Sequence, residues 1–135
     1  MDLTRLEAIP LLAALPSGDR TALAALAREA RADPGEVLVR DGVFAYELIA
    51  IESGEAELLR DGEHVAQLAV GDVLGEIGAL ERLLANATVL ASSPMRLITL
   101  SALDLRRLRR SEPAAVARLQ GLLLRRRTRL AAGRC

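Results

Sequence analysis

Two rhythms of apolar residues divide the chain. Up to about residue 32 the apolar positions fall three and four apart, the spacing that puts them on one face of a helix. Leu3, Leu6 and Ile9 predict a short helical turn, and Pro10 is suited to the first position of a second. Ser17 reads as the N-cap of a third helix, with Asp19 in its first turn and Leu23, Leu26, Ala27 and Ala30 on its apolar face. The expectation is a helical region over 1–32.

From 33 to 101 the rhythm changes. Turn signals recur at Pro34-Gly35, Asp41-Gly42, Ser53-Gly54, Asp61-Gly62, Gly71-Asp72 and Ser92-Ser93-Pro94. Between them lie short apolar runs, Val37–Val39, Leu48–Ile51, Ala56–Leu59, Val65–Leu68, Thr88–Ala91 and Leu97–Leu100. Short strands with regularly spaced turns predict a barrel or a double-sheet roll. Asp61-Gly62 has the residues a two-residue hairpin turn requires. The helical period returns after Ser101, a cap for a helix over 102–110, and Ser111 with Pro113 opens a last helix. The chain therefore reads as one domain, 1–135, mainly β with flanking helices: N-terminal helices, a jelly-roll β-roll over 33–101, and C-terminal helices over 102–131.

Composition narrows the chemistry. The 135 residues include one Phe, one Tyr and no Trp, so the core must be built from aliphatic side chains. The formal net charge is zero, and every basic residue is Arg. Cys135 is the only cysteine, which excludes an internal disulfide and fits a cytoplasmic setting. Charged residues interrupt every apolar run, so neither a membrane span nor a signal peptide is expected. His64 is the single histidine and follows a hairpin turn; one histidine cannot supply a metal-dependent roll enzyme with its ligands. No nucleophile–base set or P-loop is present, and Glu52 and Glu55 read as surface charges beside a turn. A non-enzymatic role is expected, with no metal and no bound cofactor.

The ordered series Pro34-Gly35-Glu36, Gly42, Leu48 and Ile51 to Gly54, Asp61-Gly62, Gly71-Asp72, Gly75-Glu76-Ile77 and Ala87-Thr88-Val89 resembles the cyclic nucleotide-binding domain family. That family includes the sensor domains of catabolite-activator-type regulators, cyclic-nucleotide-dependent kinases and gated channels. The resemblance implies a phosphate-binding turn at Gly75–Leu80, where backbone N–H groups of Gly75, Ile77 and Gly78 would meet a cyclic phosphate. It assigns Glu76 to a ribose hydroxyl, although a helix-end acid is an equal reading. The family's phosphate arginine falls on Ala85, its polar neighbour on Asn86, and a small pocket-lining residue on Ala87. Arg82, just past the turn, is a substitute cation or a solvated helix end. Without the guanidinium, the resemblance implies a pocket that is weak or vestigial for cyclic nucleotide.

The last helix carries a second candidate. Val116, Leu119, Leu123 and Leu130 form a seam at helix-pairing spacing, and the resemblance implies dimerisation or docking of a protein partner there. Packing of the same stripe on its own roll is the alternative. The run Arg125-Arg126-Arg127 with Arg129 reads as a solvated helix end, and nucleic-acid binding is not expected because there are no aromatic platforms. Few residues follow this helix, so no helix-turn-helix is placed after it. The leading expectation is a regulatory or interaction module assembling through its terminal helices. The alternatives are a working cyclic AMP-type sensor and an accessory or fragment of a DNA-binding regulator.

Overall fold

Sheet pairing divides the eight strands into two four-stranded antiparallel sheets. A computed structural model describes residues 1–43, 46–74 and 87–132, with side chains up to Leu124. The order of elements is α1 (Leu3–Glu7), α2 (Pro10–Ala13), α3 (Ser17–Leu26), β1 (Arg28–Ala32), β2 (Val37–Val39), β3 (Glu47–Ser53), β4 (Ala56–Arg60), β5 (Glu63–Leu68), β6 (Val73–Leu74), β7 (Thr88–Ala91), β8 (Met95–Ser101), α4 (Ala102–Ser111) and α5 (Pro113–Ala132). One sheet runs β1-β8-β3-β6 and the other β2-β7-β4-β5. The mainly β, two-sheet roll with flanking helices is the fold class expected from the turn spacing.

The central strands of the first sheet, β3 and β8, are buried on both faces, and side-chain alternation explains how. Along β3, Ile49 and Ile51 point into the space between the sheets, where they meet Leu74, Val89, Ala91, Met95 and Leu97. Leu48 and Ala50 point the other way, into a second core with Ile98 and Leu100 of β8 and with the helices. A strand packed on both sides needs a largely apolar run, which Leu48–Ile51 supplies throughout and Leu97–Leu100 supplies except at buried Thr99, whose hydroxyl donates to the Arg28 carbonyl at 3.5 Å. The second sheet has only its inner face covered, so β5 carries Glu63, His64 and Gln67 outward.

The helical layer combines both ends of the chain. Leu6, Ile9, Leu12, Leu15 and Leu23 pack with Leu105 and Leu108 of α4 and with Val116, Leu119 and Leu123 of α5. Of the two expectations for the last helix, a pairing seam or packing within the chain, the burial of the stripe favours the second. Val116, Leu119 and Leu123 are 1%, 0% and 1% exposed and fill this domain's own core. The N-terminal helices present enough aliphatic surface to cover the stripe, so it is satisfied within the chain. The side chain of Leu130 lies outside the described residues.

Several boundaries differ from expectation for local reasons. The stretch Arg28–Ala32 is a strand, so Ala30 belongs to β1 and not to a helix over 1–32; β1 pairs with β8 from Arg28↔Thr99 to Ala32↔Met95. Tertiary pairing overrides alanine's helix preference there. Ser17 is the first residue of α3 and Pro16 holds the N-cap position. Ser111 ends α4, its hydroxyl donating to the Leu108 carbonyl, and Glu112 separates it from Pro113. Ser101 does cap α4, accepting from the Asp104 N–H at 3.0 Å. The Asp61-Gly62 hairpin forms as expected, with both residues at positive φ (55° and 80°).

Two carboxylate–guanidinium pairs fasten the helices. Arg118 of α5 donates to both oxygens of Asp19 in α3, at 2.6 and 2.8 Å. Arg5 of α1 donates to both oxygens of Glu52 at the end of β3, at 2.8 and 2.6 Å, with Glu29 and Arg96 alongside. Hydrogen bonding from Arg118, more than its charge, holds the Asp19 carboxyl below its usual range against the desolvation that would raise it. Arg5 does the same for Glu52. A carboxyl with a lowered folded-state pKa stabilises the fold above its unfolded value, roughly pH 4, and this contribution is lost as pH falls through the folded value. Thermal unfolding followed between pH 7 and 2 should therefore show a midpoint that declines below roughly pH 4. Asp19→Asn should start lower at neutral pH and decline less steeply; an unchanged acid profile would remove Asp19 from this account.

Gly54 sets the turn between β3 and β4 at φ +93°. A Cβ there would strike the Pro94 carbonyl oxygen and come within 2.9 Å of Met95 Cα, both backbone. Neither atom can rotate away, so Gly54→Ala combines backbone strain with overpacking and should destabilise the domain by about 1–3 kcal/mol. Chemical denaturation would show it as a lowered midpoint at constant slope.

Candidate functional site

β2 belongs to one sheet and β3 to the other, and residues of both face a common space. A cavity of about 200 Å³ lies there, lined by Val37, Leu38, Val39 and Ile49, with Arg40, Val43, Tyr46 and Glu47 also on its walls. The continuity of lining along β2 has a local cause. Val37 pairs with Leu90 and Val39 with Val89, so β2 carries one residue more than β7 between those pairs. Such a bulge breaks strict alternation and re-aims side chains.

The strands that bracket residues 75–86 adjoin this cavity. β6 ends at Leu74, which pairs with Ile49 of the cavity wall. β7 begins at Thr88 and runs beside β2. The backbone N–H of Asp41 donates to the Thr88 hydroxyl at 3.1 Å, tying the end of β2 to the start of β7. The approach to β6 is fixed by the Gly71-Asp72 turn. The Asp72 carboxylate accepts from the Ala69 N–H at 2.8 Å, and Ile51 exchanges backbone bonds with Gly71 and Asp72 at 2.9 Å.

Of the residues assigned to the pocket by resemblance, Ala87 is described. It is buried at 6% exposure beside the start of β7 and is not among the residues that line the cavity. Gly75, Glu76, Ile77, Gly78, Arg82, Ala85 and Asn86 lie outside the described residues. The residues that line the cavity were not legible as contacts in the sequence. Arg40 and Glu47 sit at the ends of β2 and β3, and no local pattern marks the end of an apolar run as a ligand contact. Arg40 is exposed and has no ion-pair partner among the described residues, whereas Arg5 and Arg118 are engaged by carboxylates. Tyr46 is 70% exposed, its carbonyl held by the Ala102 N–H at 2.6 Å.

Other candidate chemistry is absent where it can be judged. His64 Nδ1 stands 3.1 Å from a Glu57 carboxylate oxygen on the outer face of the β4–β5 hairpin, and its side chain is half exposed. Glu52 is bound by Arg5, and Glu55 accepts from the Gln67 amide at 3.3 Å; neither forms an acid–base couple. Among the described residues no three His, Cys, Asp or Glu side chains converge as a metal site, and no helix is long and apolar enough to cross a membrane.

Comparison with known proteins agrees with the two-sheet roll. The chain is 35% identical over 97 residues to a cAMP-dependent protein kinase regulatory subunit of Yarrowia lipolytica, a match covering 70% of this chain and 26% of that protein. The regulatory subunit of Schizosaccharomyces pombe is 32% identical over 95 residues, covering 70% and 23%. The chain thus spans about a quarter of the length of these relatives. Among solved structures, the C-linker and cyclic nucleotide-binding homology domain of zELK channels, crystallised in the presence of cAMP, superposes with a TM-score of 0.76 at 25% identity, covering 89% of this chain and 62% of that one. The regulatory subunit of a cAMP-independent protein kinase A from Trypanosoma brucei, in a triple mutant bound to cAMP in its A site, superposes with a TM-score of 0.77 at 23% identity, covering 91% and 44%. The sequence profile of the cyclic nucleotide-binding domain matches residues 29–112, from the start of the roll to the end of α4, and the chain belongs to that family.

Proposed function

We propose that the chain is a non-catalytic regulatory domain whose roll takes a cyclic nucleotide with weakened affinity, and whose docked last helix is the element a ligand acts on. The observation that carries the reading is Ala85, an uncharged residue where the family resemblance places a phosphate-binding arginine. A bidentate guanidinium–phosphate contact is charge-assisted, and its loss costs roughly 1.5–3 kcal/mol per hydrogen bond, or about tenfold or more in affinity. The cavity lined by β2, β3 and the segment between them, with both apolar and charged residues, supports retention of a binding space.

The burial of the α5 stripe bears on how such a domain would act. Val116, Leu119 and Leu123 cannot serve the N-terminal helices and a second copy at once. A dimer through this seam would require α5 to leave the domain first. The regulated property is therefore the docking of α5 against α3, with a protein partner as the receiver, in keeping with relatives that are kinase regulatory subunits.

Titration calorimetry with cyclic AMP and cyclic GMP tests the reading. Measurable binding with a dissociation constant above roughly 10 μM is expected. Tighter binding by the unaltered chain would favour a fully competent sensor, and no binding at millimolar ligand would leave an interaction module without a nucleotide.

A further inference from the structure

We propose that the outer face of α4 is a docking surface for an acidic segment of a partner protein, with Leu103 as its apolar anchor and Arg107 and Arg110 as its charged contacts. The inference rests on the reading of a protein partner above and does not involve the nucleotide. It places the contact on a helix whose outer face is open, since the apolar stripe of α5 is already occupied. α4 divides into two faces. Ala102, Leu105 and Leu108 are buried in the helical core. Leu103, Arg107 and Arg110 are exposed and fall at the four- and three-residue spacings of a single helix face, opposite the buried one.

The charge of α4 is one-sided. Arg106, Arg107, Arg109 and Arg110 stand against Asp104 alone within the helix. Arg107 and Arg110 make no ion pair among the described residues, whereas Arg5 and Arg118 are engaged by carboxylates. Their charge is therefore not committed to the fold. Apolar surface adjoins it. Leu103 is 52% exposed, and Tyr46, 70% exposed, is brought to the first turn of α4 by the bond from the Ala102 N–H to its carbonyl. The pairing of Glu47 with Ser101 fixes the same placement. A single exposed apolar side chain is ordinary, but a tyrosine beside unpaired arginines has the composition of a binding hot spot.

The sign of the charge makes the occupant acidic, and the surroundings make it a protein. From Leu103 to Arg110 the helix rises about 10 Å, which matches a short peptide segment. A helix that binds a membrane surface inserts its apolar face, and that face of α4 lies in the core. A nucleic acid would meet the arginines through phosphates and leave Leu103 without an apolar partner.

The test is fluorescence anisotropy of the full chain, without nucleotide and at low ionic strength. The probe is a dye-labelled, Asp- and Glu-rich peptide with a central leucine. Arg107→Glu combined with Arg110→Glu should weaken binding roughly tenfold or more, and added salt should erode the affinity of the unaltered chain. Leu103→Ala should weaken it about threefold. All three side chains are exposed, so the thermal unfolding midpoints should stay in place and show that the variants fold. Replacing Arg125, Arg126 and Arg127 by Gln should leave peptide affinity unchanged. No binding by the unaltered chain, or equal affinity for the Arg107→Glu, Arg110→Glu variant, would overturn the docking surface and leave the nucleotide reading to its own titration. A larger loss on replacing the 125–127 run would overturn it by moving the contact to the end of α5. Tighter binding to phosphatidylserine vesicles or to a single-stranded oligonucleotide, lost in the same α4 variant, would overturn the protein as occupant.

Discussion

Leu119→Ala should lower the unfolding free energy by about 2–5 kcal/mol, the range for emptying a fully enclosed leucine site. Leu119 is completely buried where α5 meets the N-terminal helices and α4. The lost side chain leaves a space that several helices would have to shift to fill. Domains of this size are commonly stable by only about 5–15 kcal/mol, so this single change removes a large share. Leu119→Glu, which buries a carboxylate with no cation assigned to it, should prevent folding near neutral pH. Leu124, 47% exposed one residue past the end of the buried stripe, provides the contrast: Leu124→Ala should change stability much less. Urea denaturation followed by circular dichroism measures both. If the α5 stripe were instead an intermolecular seam, Leu119→Ala would shift a concentration-dependent light-scattering signal and leave the monomer's stability untouched.

Ala85→Arg should tighten cyclic AMP binding about tenfold to a hundredfold. The substitution restores a planar five-donor fork where the resemblance expects phosphate, and a fork of this shape bonds two phosphate oxygens at once. The gain should belong to charge, so adenosine affinity should not move, and added salt should erode the improvement. Calorimetry on the variant and the unaltered chain decides it. No gain in cyclic AMP affinity would mean that the Gly75–Leu80 turn does not receive a phosphate, and the loss of nucleotide affinity would then not be due to position 85.

The two-sheet roll was legible because its turns carry residues that few other conformations require. Gly35, Gly42, Gly54, Gly62 and Gly71 all adopt positive φ, and each had marked a boundary in the sequence. β1 and β6 were not legible for opposite reasons. Arg28–Ala32 has the composition of a helix and becomes a strand through its pairing with β8. Val73–Leu74 is only two residues long and is defined by its partner, β3. The ion pairs were equally silent. Asp19 and Arg118 lie 99 positions apart, and each looked like an ordinary helix charge. In the site, Ala87 is the described residue among those the resemblance named, and it is not one of the cavity's lining residues. Arg40 and Glu47, which do line the cavity, carry no local sequence signal that marks them as contacts.

The double burial of β3 has a consequence for how the strand finds its place. In an ordinary half-exposed strand, slipping by one residue would send the oily side into water, and solvent itself enforces the alignment. Along β3 that penalty disappears, because Leu48, Ile49, Ala50 and Ile51 would remain in apolar surroundings after such a slip. Alignment must then come from size and from the chain's corners. Ala50 is too small to replace an isoleucine between the sheets, and the Gly54 corner fits only with its Cα hydrogens against Pro94. This doubly buried strand is thus positioned by small Ala50 and by the glycine at its corner.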